Sequence, residues 1–350
     1  MCAPASPSPG RSSGCEMNPL LSRLFSATEP VEKMTEEQRC ALTAFRRKLE
    51  QGVYTFEDAG CLCGRPGGWH VAARDRFALP VDTWLCPRCG LLRTTPRMTG
   101  ESLGRFYADD YRALYVGGTG VPEWFFSWQT QNGQKILDFV RGSRPDFAGS
   151  TVFDVGCGAG GTLLPFRAAG CRVFGCDTGR DYLERGKSEG LTLEFGEAPC
   201  LRPHGPADLV ILSHVLEHLP HPLASLSQVR DLLAPQGLLY VELPGIFSIL
   251  RTYGDALLFL QNAHLYHFTL ETLSALLARA GFRLVKGDQL IRALYEPAGA
   301  PPEVGVGGQA WRVLSYLCWA EVHRGWRAWR SPSRGAAPGA QPCASQPTKA

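Results

Sequence analysis

A short apolar run that ends in a glycine-rich turn constrains this sequence more than any other feature. Residues 152–161 read Val-Phe-Asp-Val-Gly-Cys-Gly-Ala-Gly-Gly, so strand-forming residues lead directly into a turn that contains four glycines. Glycines at such a turn supply positive φ angles and let the backbone approach a ligand closely. A strand, a glycine turn and a helix in this order are typical of α/β folds that bind ligands at the end of the strand. The run therefore predicts an α/β sheet with a ligand site at this turn.

The pattern of apolar runs after residue 150 supports the same architecture. Short strand-like runs occupy 151–155, 172–176, 191–195, 209–212 and 238–243, and two more lie near 283–285 and 289–295. Helix-capable segments separate these runs, and Thr269 is a predicted helix N-cap. Such alternation is typical of a parallel sheet that helices cover on both faces. We predict a Rossmann-like α/β fold with a mostly parallel sheet, a small N-terminal zinc-knuckle domain and disordered termini.

Changes in composition and pattern divide the chain into six predicted segments. These are a disordered tail over 1–30, a helix over 31–55 that Thr35 caps, a candidate zinc-binding module over 56–125, the α/β domain over 126–298, an amphipathic helix over 299–330 and a disordered tail over 331–350. The overall composition, with 44% hydrophobic and 20% charged residues, is that of an ordinary globular protein.

The charge and the apolar content exclude several classes of protein. A net charge of +3 over 350 residues argues against a protein held on nucleic acid by its overall field. No run of about 18 apolar residues predicts a membrane span, and residues 1–14 lack the apolar core of a secretion signal. A cytoplasmic location follows as the expectation, with cysteines that are mostly reduced thiols or metal ligands.

Two acidic residues near the glycine turn indicate which ligand it takes. The spacing of Gly156, Gly158 and Gly161 also fits a dinucleotide fingerprint, so the glycines alone do not choose the ligand. Asp154 is placed to meet an ammonium group and would repel a pyrophosphate, whereas Asp177, 21 residues after Gly156, can accept hydrogen bonds from both ribose hydroxyls. A glycine-rich loop without any ligand is the alternative.

Together, residues 154–161, Asp177 and the Ser-His-Val-Leu-Glu-His-Leu-Pro run at 213–220 resemble the motifs of class I S-adenosylmethionine-dependent methyltransferases. The resemblance covers about residues 131–295 and implies a seven-stranded sheet with a reversed final strand, with S-adenosylmethionine as the cofactor. It places residues 196–198 at the adenine and residues 213–214 beside the sulfonium. The cofactor-binding residues that it implies are Asp154, Gly156, Cys157, Gly158, Gly160, Asp177, Thr178, Glu197, Ala198, Ser213 and His214.

A cysteine cluster precedes the α/β domain. Cys61 and Cys63 form one pair, and Cys86 and Cys89, followed by glycine, form a second pair after 22 intervening residues. Two thiolate pairs on turns suit tetrahedral zinc. The first pair has one intervening residue instead of two, so His70 is a possible substitute ligand, and reduced core cysteines or a site that has lost its metal are the alternatives.

Residues 86–115 carry a second resemblance. Their Cys-Pro-Arg-Cys-Gly-Leu-Leu-Arg-Thr-Thr-Pro-Arg run and the later Phe-Tyr-Ala-Asp-Asp-Tyr are similar to the N-terminal zinc module of bacterial methyltransferases that act on sugars, including deoxysugar C-methyltransferases. This resemblance implies a structural zinc ion and a small-molecule acceptor such as a sugar, a glycan or a natural product. The competing hypotheses are a zinc-containing nucleic-acid methyltransferase or binding protein and an NAD-dependent oxidoreductase.

Four histidines near the carboxyl ends of the strands are candidates for the base that removes a proton from the acceptor, and one of them is His214 after the fourth strand. His264 and His267 lie in the segment 262–269 after the fifth strand, which often closes over substrate in this fold, and His218 lies in the run after the fourth strand. Each of them has a plain alternative as a capping or packing residue. Glu217 is interpreted as structural.

The C-terminal helix carries aromatic and basic residues in an unusual proportion. One predicted helical face carries Trp311, Leu314, Cys318, Val322, Trp326 and Trp329, while Arg312, Arg324, Arg327 and Arg330 supply positive charge. Such a helix is able to lie on a membrane surface. Packing on the main domain or on a second subunit is the favoured interpretation.

Overall fold

The computed structural model describes residues 18–118, 120–144 and 146–330. The predicted tail over 331–350 and most of the tail over 1–30 lie outside these residues. The prediction of a tail is wrong for residues 18–30, which contain the helix α1 at Ser22–Ser26. Leu21 and Leu24 are buried there, because their apolar side chains pack into a cluster with the N-terminal sheet and the C-terminal helix.

The strands, numbered in chain order, belong to three sheets. They are β1 Phe56–Glu57, β2 Trp69–Arg74, β3 Pro80–Leu85, β4 Leu92–Thr94, β5 Arg97–Met98, β6 Thr151–Val155, β7 Arg172–Asp177, β8 Thr192–Phe195, β9 Ala207–Ser213, β10 Leu233–Glu242, β11 Tyr266–His267, β12 Phe282–Gly287 and β13 Arg292–Pro297. Every strand predicted between residues 151 and 295 is present, with small differences in its bounds.

The α-helices surround these sheets. After α1 they are α2 Glu36–Glu50, α3 Gly100–Asp109, α4 Tyr111–Tyr115, α5 Glu123–Arg141, α6 Leu164–Ala168, α7 Arg180–Ser188, α8 Pro222–Arg230, α9 Ile249–Thr252, α10 Ala256–Phe259, α11 Leu270–Arg279 and α12 Gln309–Arg330. The predicted caps are confirmed, because Thr35 and Thr269 each accept a hydrogen bond from the third residue of the helix that follows.

The central sheet has seven strands in the order β12-β13-β10-β9-β6-β7-β8. The strands from β6 to β10 pair in parallel, whereas β13 runs antiparallel to both β10 and β12. The predicted mostly parallel sheet with a reversed final strand is therefore confirmed. All five residues of β6 are buried, because helices cover both faces of this central strand.

A strand from the α/β domain completes the N-terminal sheet. This four-stranded sheet has the order β11-β4-β3-β2, in which β11 pairs Tyr266 with Arg93 and His267 with Leu92. The segment 262–269 is thus held in a sheet with the cysteine-bearing module. As a result, the module and the α/β domain share one packed core.

The C-terminal helix α12 packs one face on the body of the protein and exposes the other. Val313 and Leu317 are buried in the cluster that contains Leu21 and Leu24. On the opposite side, the exposed large apolar residues include Trp311, Trp319, Val322, Trp326 and Trp329. The helix therefore packs on the main domain through Val313 and Leu317 and not through the predicted aromatic face, whose contact with a membrane or a second subunit stays a prediction.

Within the described ranges, no helix combines the length and the apolar character that are needed to cross a bilayer. The cytoplasmic location stays a prediction.

Candidate active site

The glycine turn lies at the carboxyl end of β6 and has the backbone conformation that its sequence predicts. Gly156, Gly158 and Gly160 have φ angles of 76°, 54° and 75°, values that other residues rarely adopt. A Cβ atom on Gly161 would lie 2.8 Å from the carbonyl oxygen of Phe126. The lack of a side chain at Gly161 therefore lets α5 pack directly against the turn.

Asp154 is a buried carboxylate beneath this turn. It is 3% exposed, and within the described residues its carboxylate receives neither a hydrogen bond nor an ion pair. Burial, and then the nearby charge of Asp177, raise its pKa to about 8. A cationic group bound at the turn would stabilise the ionised carboxylate, so the site suits a ligand that carries an ammonium group.

Asp177 lies at the end of the neighbouring strand β7 and is fixed by two backbone amides. Its oxygens accept hydrogen bonds from Gly158 N at 2.8 Å and from Gly179 N at 2.7 Å. Each carboxylate oxygen retains a second lone pair, so both can still accept a ligand hydroxyl. This geometry fits the predicted interaction with ribose.

Helix α5 supports the turn in a way that sequence reasoning missed. Gln129 donates a hydrogen bond from Nε2 to Cys157 O at 2.9 Å and accepts one from Gly161 N at 3.4 Å. Asn132 donates to Glu242 at 2.9 Å. The sequence feature that could have identified these two residues is their polar character on an otherwise apolar helix face, because a buried side-chain amide needs hydrogen-bond partners.

A second missed residue is Arg112 of α4, which comes from the N-terminal module. Its guanidinium stacks on the Tyr182 ring at 3.7 Å from the centroid. A Cβ atom on Gly179 would overlap its Nη2 atom, so Arg112 reaches the same sheet edge as Asp177. The N-terminal module therefore contributes to the ligand site, which the motifs alone did not indicate.

The remaining predicted cofactor residues also lie at the carboxyl edge of the sheet. Cys157 is buried against Gly175, so it can offer a ligand only its backbone. Thr178 and Glu197 are exposed, whereas Ala198 is buried at the start of a 3₁₀ turn. This loop is tied to β7 because Gly196 N donates to Asp177 O at 3.1 Å.

Ser213 and His214 end the central strand β9 beside the glycine turn. His214 has a φ of 55°, and its backbone N–H donates to Glu242 O at 2.8 Å. A Cβ atom on Gly156 would lie 2.5 Å from Val215 Cγ2, so the turn and the segment after β9 are in direct contact. The ring of Trp128 lies 6.1 Å from that of His214, centroid to centroid.

Glu217 is the centre of a histidine cluster next to this point. Its side chain is 1% exposed, and its Oε1 lies 3.6 Å from His214 Nδ1, 3.9 Å from His218 Nε2 and 4.0 Å from His264 Nε2. Within the described residues neither carboxylate oxygen has a hydrogen-bond partner. Burial alone would raise the pKa of Glu217, but His214 and His218 hold it below its usual value. The interpretation of Glu217 as a structural residue does not account for this position.

The candidate bases differ in how far solvent reaches them. His218 retains 14% side-chain exposure, and its Nδ1 lies 2.9 Å from Ala263 O and 2.8 Å from the Tyr107 hydroxyl. Burial and the neighbouring His218 lower the pKa of His264 well below its usual value. His267 is buried in β11 and packs on Phe259, and burial lowers its pKa to about 3. The imidazoles of His264 and His267 are therefore neutral at physiological pH.

The four predicted cysteine ligands converge in the N-terminal module. Cys61 and Cys89 have their Sγ atoms 3.5 Å apart, those of Cys63 and Cys86 are 3.6 Å apart, and all four lie within 4.8 Å of one another. Tetrahedral zinc with Zn–S bonds of ~2.3 Å separates its sulfur ligands by about 3.8 Å. The thiols therefore fit a structural zinc ion.

The alternative in which His70 replaces one of these cysteines is wrong. His70 Nε2 lies 2.9 Å from Asp82 Oδ1, and its ring stacks on Trp84 with centroids 4.6 Å apart. Its strand β2 directs it to these partners, and Cys61 completes the cysteine cluster despite the irregular spacing of its pair.

Comparison with known families decides the nature of the α/β domain. Residues 128–286, which contain the glycine turn, Asp177 and Glu217, match a family model described as a methyltransferase domain. This part of the chain is therefore similar to a methyltransferase domain. The predicted resemblance to methyltransferases is confirmed for this segment.

Curated relatives of the methyltransferase domain come from bacteria. The chain is 30% identical over 213 residues to the C-methyltransferase NovU of Streptomyces niveus, a match that covers 59% of this chain and 47% of NovU. It is 34% identical over 100 residues to the ubiquinone biosynthesis O-methyltransferase of Cereibacter sphaeroides, which covers 27% of this chain and 40% of the relative. The chain thus spans about half or less of the length of these relatives.

Solved methyltransferase structures are more distant. One is the 1,6-didemethyltoxoflavin-N1-methyltransferase of Burkholderia thailandensis, with bound 1,6-didemethyltoxoflavin and S-adenosylhomocysteine. It has a TM-score of 0.42 and 18% identity, and the match covers 62% of this chain and 93% of that chain.

Proposed function

We propose that the protein transfers a methyl group from S-adenosylmethionine to a small-molecule acceptor. The observation that carries this proposal is the pair of carboxylates at the glycine turn. Asp154 is buried and has no partner among the described residues, and Asp177 is held by two backbone amides while each of its oxygens can still accept a hydrogen bond. An ammonium group and two ribose hydroxyls in one ligand satisfy both of them, and S-adenosylmethionine contains all of these groups.

Bound S-adenosylmethionine supplies an electrophilic methyl group on a sulfonium. The residues of the chain then have two tasks, which are to align the acceptor and to take up its proton. The segment after β9 serves the first task, because its contact with Gly156 sets the histidine cluster beside the glycine turn. Trp128, whose side chain is partly exposed next to His214, offers an aromatic face for the acceptor.

The proton of the acceptor passes to the histidine cluster around Glu217 in this proposal. His218, His264 and His267 are the candidate bases, and His218 is the most exposed of the three. Its Nδ1 is held by Ala263 O and Tyr107, which leaves Nε2 as the free ring nitrogen. A general base contributes on the order of 10²–10⁴-fold to turnover.

A sugar, a glycan or another natural product is the proposed acceptor class. The support is the cysteine module, since residues 86–115 resemble the zinc module of methyltransferases that act on sugars and the four thiols fit zinc. NovU, a C-methyltransferase, is among the relatives of the chain.

Two measurements test the proposed function. Calorimetry on the purified chain is expected to show binding of S-adenosylhomocysteine and no useful affinity for NAD. Incubation with labelled S-adenosylmethionine and a panel of nucleotide sugars is then expected to label one class of acceptor. Tight NAD binding without a signal from S-adenosylhomocysteine would refute the proposal in favour of an oxidoreductase.

Replacement of the candidate bases tests the proton step. His218→Gln, His264→Gln and His267→Gln are compared in single-turnover reactions, and the variant that lacks the base is expected to lose about 10²–10⁴-fold in rate. Its affinity for S-adenosylhomocysteine should stay near that of the wild type. If none of the three slows methyl transfer, the base lies elsewhere or the acceptor arrives deprotonated.

A further inference from the structure

The carboxylate of Glu217 poses an electrostatic problem that the proposed methyl transfer does not solve. A buried, ionised carboxylate is costly unless a counter-charge or hydrogen bonds compensate it. Glu217 is 1% exposed, and both of its oxygens lack a hydrogen-bond partner among the described residues. No lysine or arginine pairs with it in the described part of the chain, and its neighbours at 3.6–4.0 Å are imidazoles.

Two of these imidazoles direct a ring nitrogen toward the same space. His218 Nε2 and His264 Nε2 lie 3.9 Å and 4.0 Å from Glu217 Oε1, and one donor atom from each residue falls within 4.8 Å of the others. His264 is 4% exposed, and its Nδ1 also lacks a partner within the described residues. Whichever nitrogen of His264 carries the proton, the other keeps a free lone pair.

The surroundings of His218 match those of a metal-ligating histidine. A backbone carbonyl only accepts hydrogen bonds, so the contact of Nδ1 with Ala263 O at 2.9 Å requires a proton on Nδ1. Nε2 then carries the lone pair and faces Glu217. Histidines that bind metals commonly donate their second ring N–H to a carbonyl or carboxylate in this way.

We propose that Glu217, His218 and His264 bind a divalent transition-metal cation. Ligands at ~2.1 Å from a zinc-class ion lie about 3.4 Å apart in a tetrahedral arrangement. The distances of 3.9 Å and 4.0 Å from Glu217 Oε1 therefore need to close by about half an ångström, and the two imidazole nitrogens, which lie within 4.8 Å of each other, need to close by up to about 1.4 Å. One carboxylate and two imidazoles suit zinc or iron(II), and the cation offsets the charge of the buried carboxylate. Three protein ligands leave coordination positions open. An oxygen of the acceptor, hydroxyl or carbonyl, takes an open position.

The ion and the proposed function are related but separable. Binding of the cation depends only on the three side chains, whereas its effect on the acceptor rests on the proposed methyl transfer. A coordinated hydroxyl loses its proton more readily because the cation stabilises the oxyanion. In that case His218 and His264 act as ligands of the cation and not as bases.

Metal stoichiometry on the full chain tests the proposal. The chain is titrated with zinc sulfate, desalted and analysed for bound zinc, and the same titration with cobalt(II) is followed by absorption. Cobalt at the cysteine cluster produces intense thiolate charge-transfer bands, whereas cobalt at Glu217 produces only weak ligand-field bands. The wild type is expected to bind one equivalent more than Glu217→Gln and His264→Gln, with zinc affinity at this second site reduced about 10²-fold or more in the variants.

His221→Gln is the matched control, because His221 is exposed near the same segment and has no place in the cluster. It is expected to keep the wild-type stoichiometry. Thermal melts of all variants show whether they fold. If Glu217→Gln does not fold, His264→Gln and His218→Gln carry the comparison.

Two results would overturn the proposal. One is a wild-type chain whose only cobalt signal is the thiolate band, which would mean that a protonated His214 neutralises Glu217. The other is a second equivalent that survives in both Glu217→Gln and His264→Gln. S-adenosylhomocysteine calorimetry on the same samples separates the proposals, since intact cofactor binding without the second metal refutes only the metal site.

Discussion

The α/β domain carries two neighbouring sites that are assembled in opposite ways. The glycine turn and Asp177 come from consecutive strand ends within 24 residues of one another, and their backbone hydrogen bonds hold the site together. The histidine cluster joins residues 214–218 to His264, from a segment that pairs with the N-terminal sheet. One site is local in sequence, whereas the other exists only because two sheets meet.

This difference predicts different responses to substitution. A local site that is built on backbone amides loses ligand affinity when one side chain is removed, but the backbone conformation of the site persists. A cluster of buried ionisable groups depends on mutual compensation, so removing one member leaves the others exposed to an uncompensated charge. We therefore expect substitutions at the glycine turn to lower ligand affinity while the histidine cluster persists. Substitutions in the histidine cluster are expected to disturb the cluster while ligand affinity persists.

The largest effect is expected from Glu217→Gln. The change removes the negative charge that the imidazoles share while it keeps the size of the side chain. Turnover should fall by about 10²–10⁴-fold, the scale of a lost acid–base or electrophilic contribution. S-adenosylhomocysteine affinity should change by less than about twofold, since Glu217 is separate from the turn. A parallel loss of cofactor binding would show that the two sites are one unit.

Asp177→Ala is expected to have the opposite signature. Loss of a charged acceptor for the ribose hydroxyls should weaken S-adenosylhomocysteine binding by about 1.5–3 kcal/mol, or roughly 10–150-fold. Asp181→Ala, at an exposed acid early in α7, is the matched control and should bind normally. Calorimetry measures both variants. Equal affinities for the two would remove Asp177 from the cofactor site.

Gly133→Ala tests whether α5 holds the turn in place. A Cβ atom there would lie 2.2 Å from Thr162 O, so the helix or the turn must shift. We expect a loss of about 1–3 kcal/mol in stability from this overpacking, together with weaker cofactor binding. Gly104→Ala in α3, where a Cβ meets nothing within 4 Å, is the control and should stabilise the chain slightly. Denaturant unfolding compares them.

The smallest expected effect is a pH dependence of cofactor affinity that arises from Asp154. In the free protein its pKa is raised to about 8, so the carboxyl is mostly protonated at pH 7. A bound ammonium group lowers that pKa, so binding releases about one proton, and affinity rises by up to about tenfold per pH unit as pH approaches 8. Calorimetry in buffers of different ionisation enthalpy measures the proton. The same pH dependence in Asp154→Asn would assign the titration to another group.

Sequence patterns that span a few tens of residues determined much of the fold and of the candidate sites. The strands of the central sheet, the caps at Thr35 and Thr269, the glycine turn and the four cysteine ligands follow from the sequence and are present in the structure. They were predictable because backbone conformation, side-chain periodicity and ligand chemistry act locally. The motifs that resemble those of methyltransferases predicted the cofactor, because they lie at adjacent strand ends and are also local in sequence.

Tertiary structure alone decided the rest. Residues 18–30 looked like a tail, but Leu21 and Leu24 find a buried surface only when α12 and the N-terminal sheet come together. The position of Glu217 was not recognised from the sequence, because its approach to His264, 47 residues further along the chain, depends on β11 joining that sheet. Arg112 reaches the edge that carries Asp177 from another module. Contacts between distant segments follow from packing the whole chain, and no local pattern specifies which surfaces will meet.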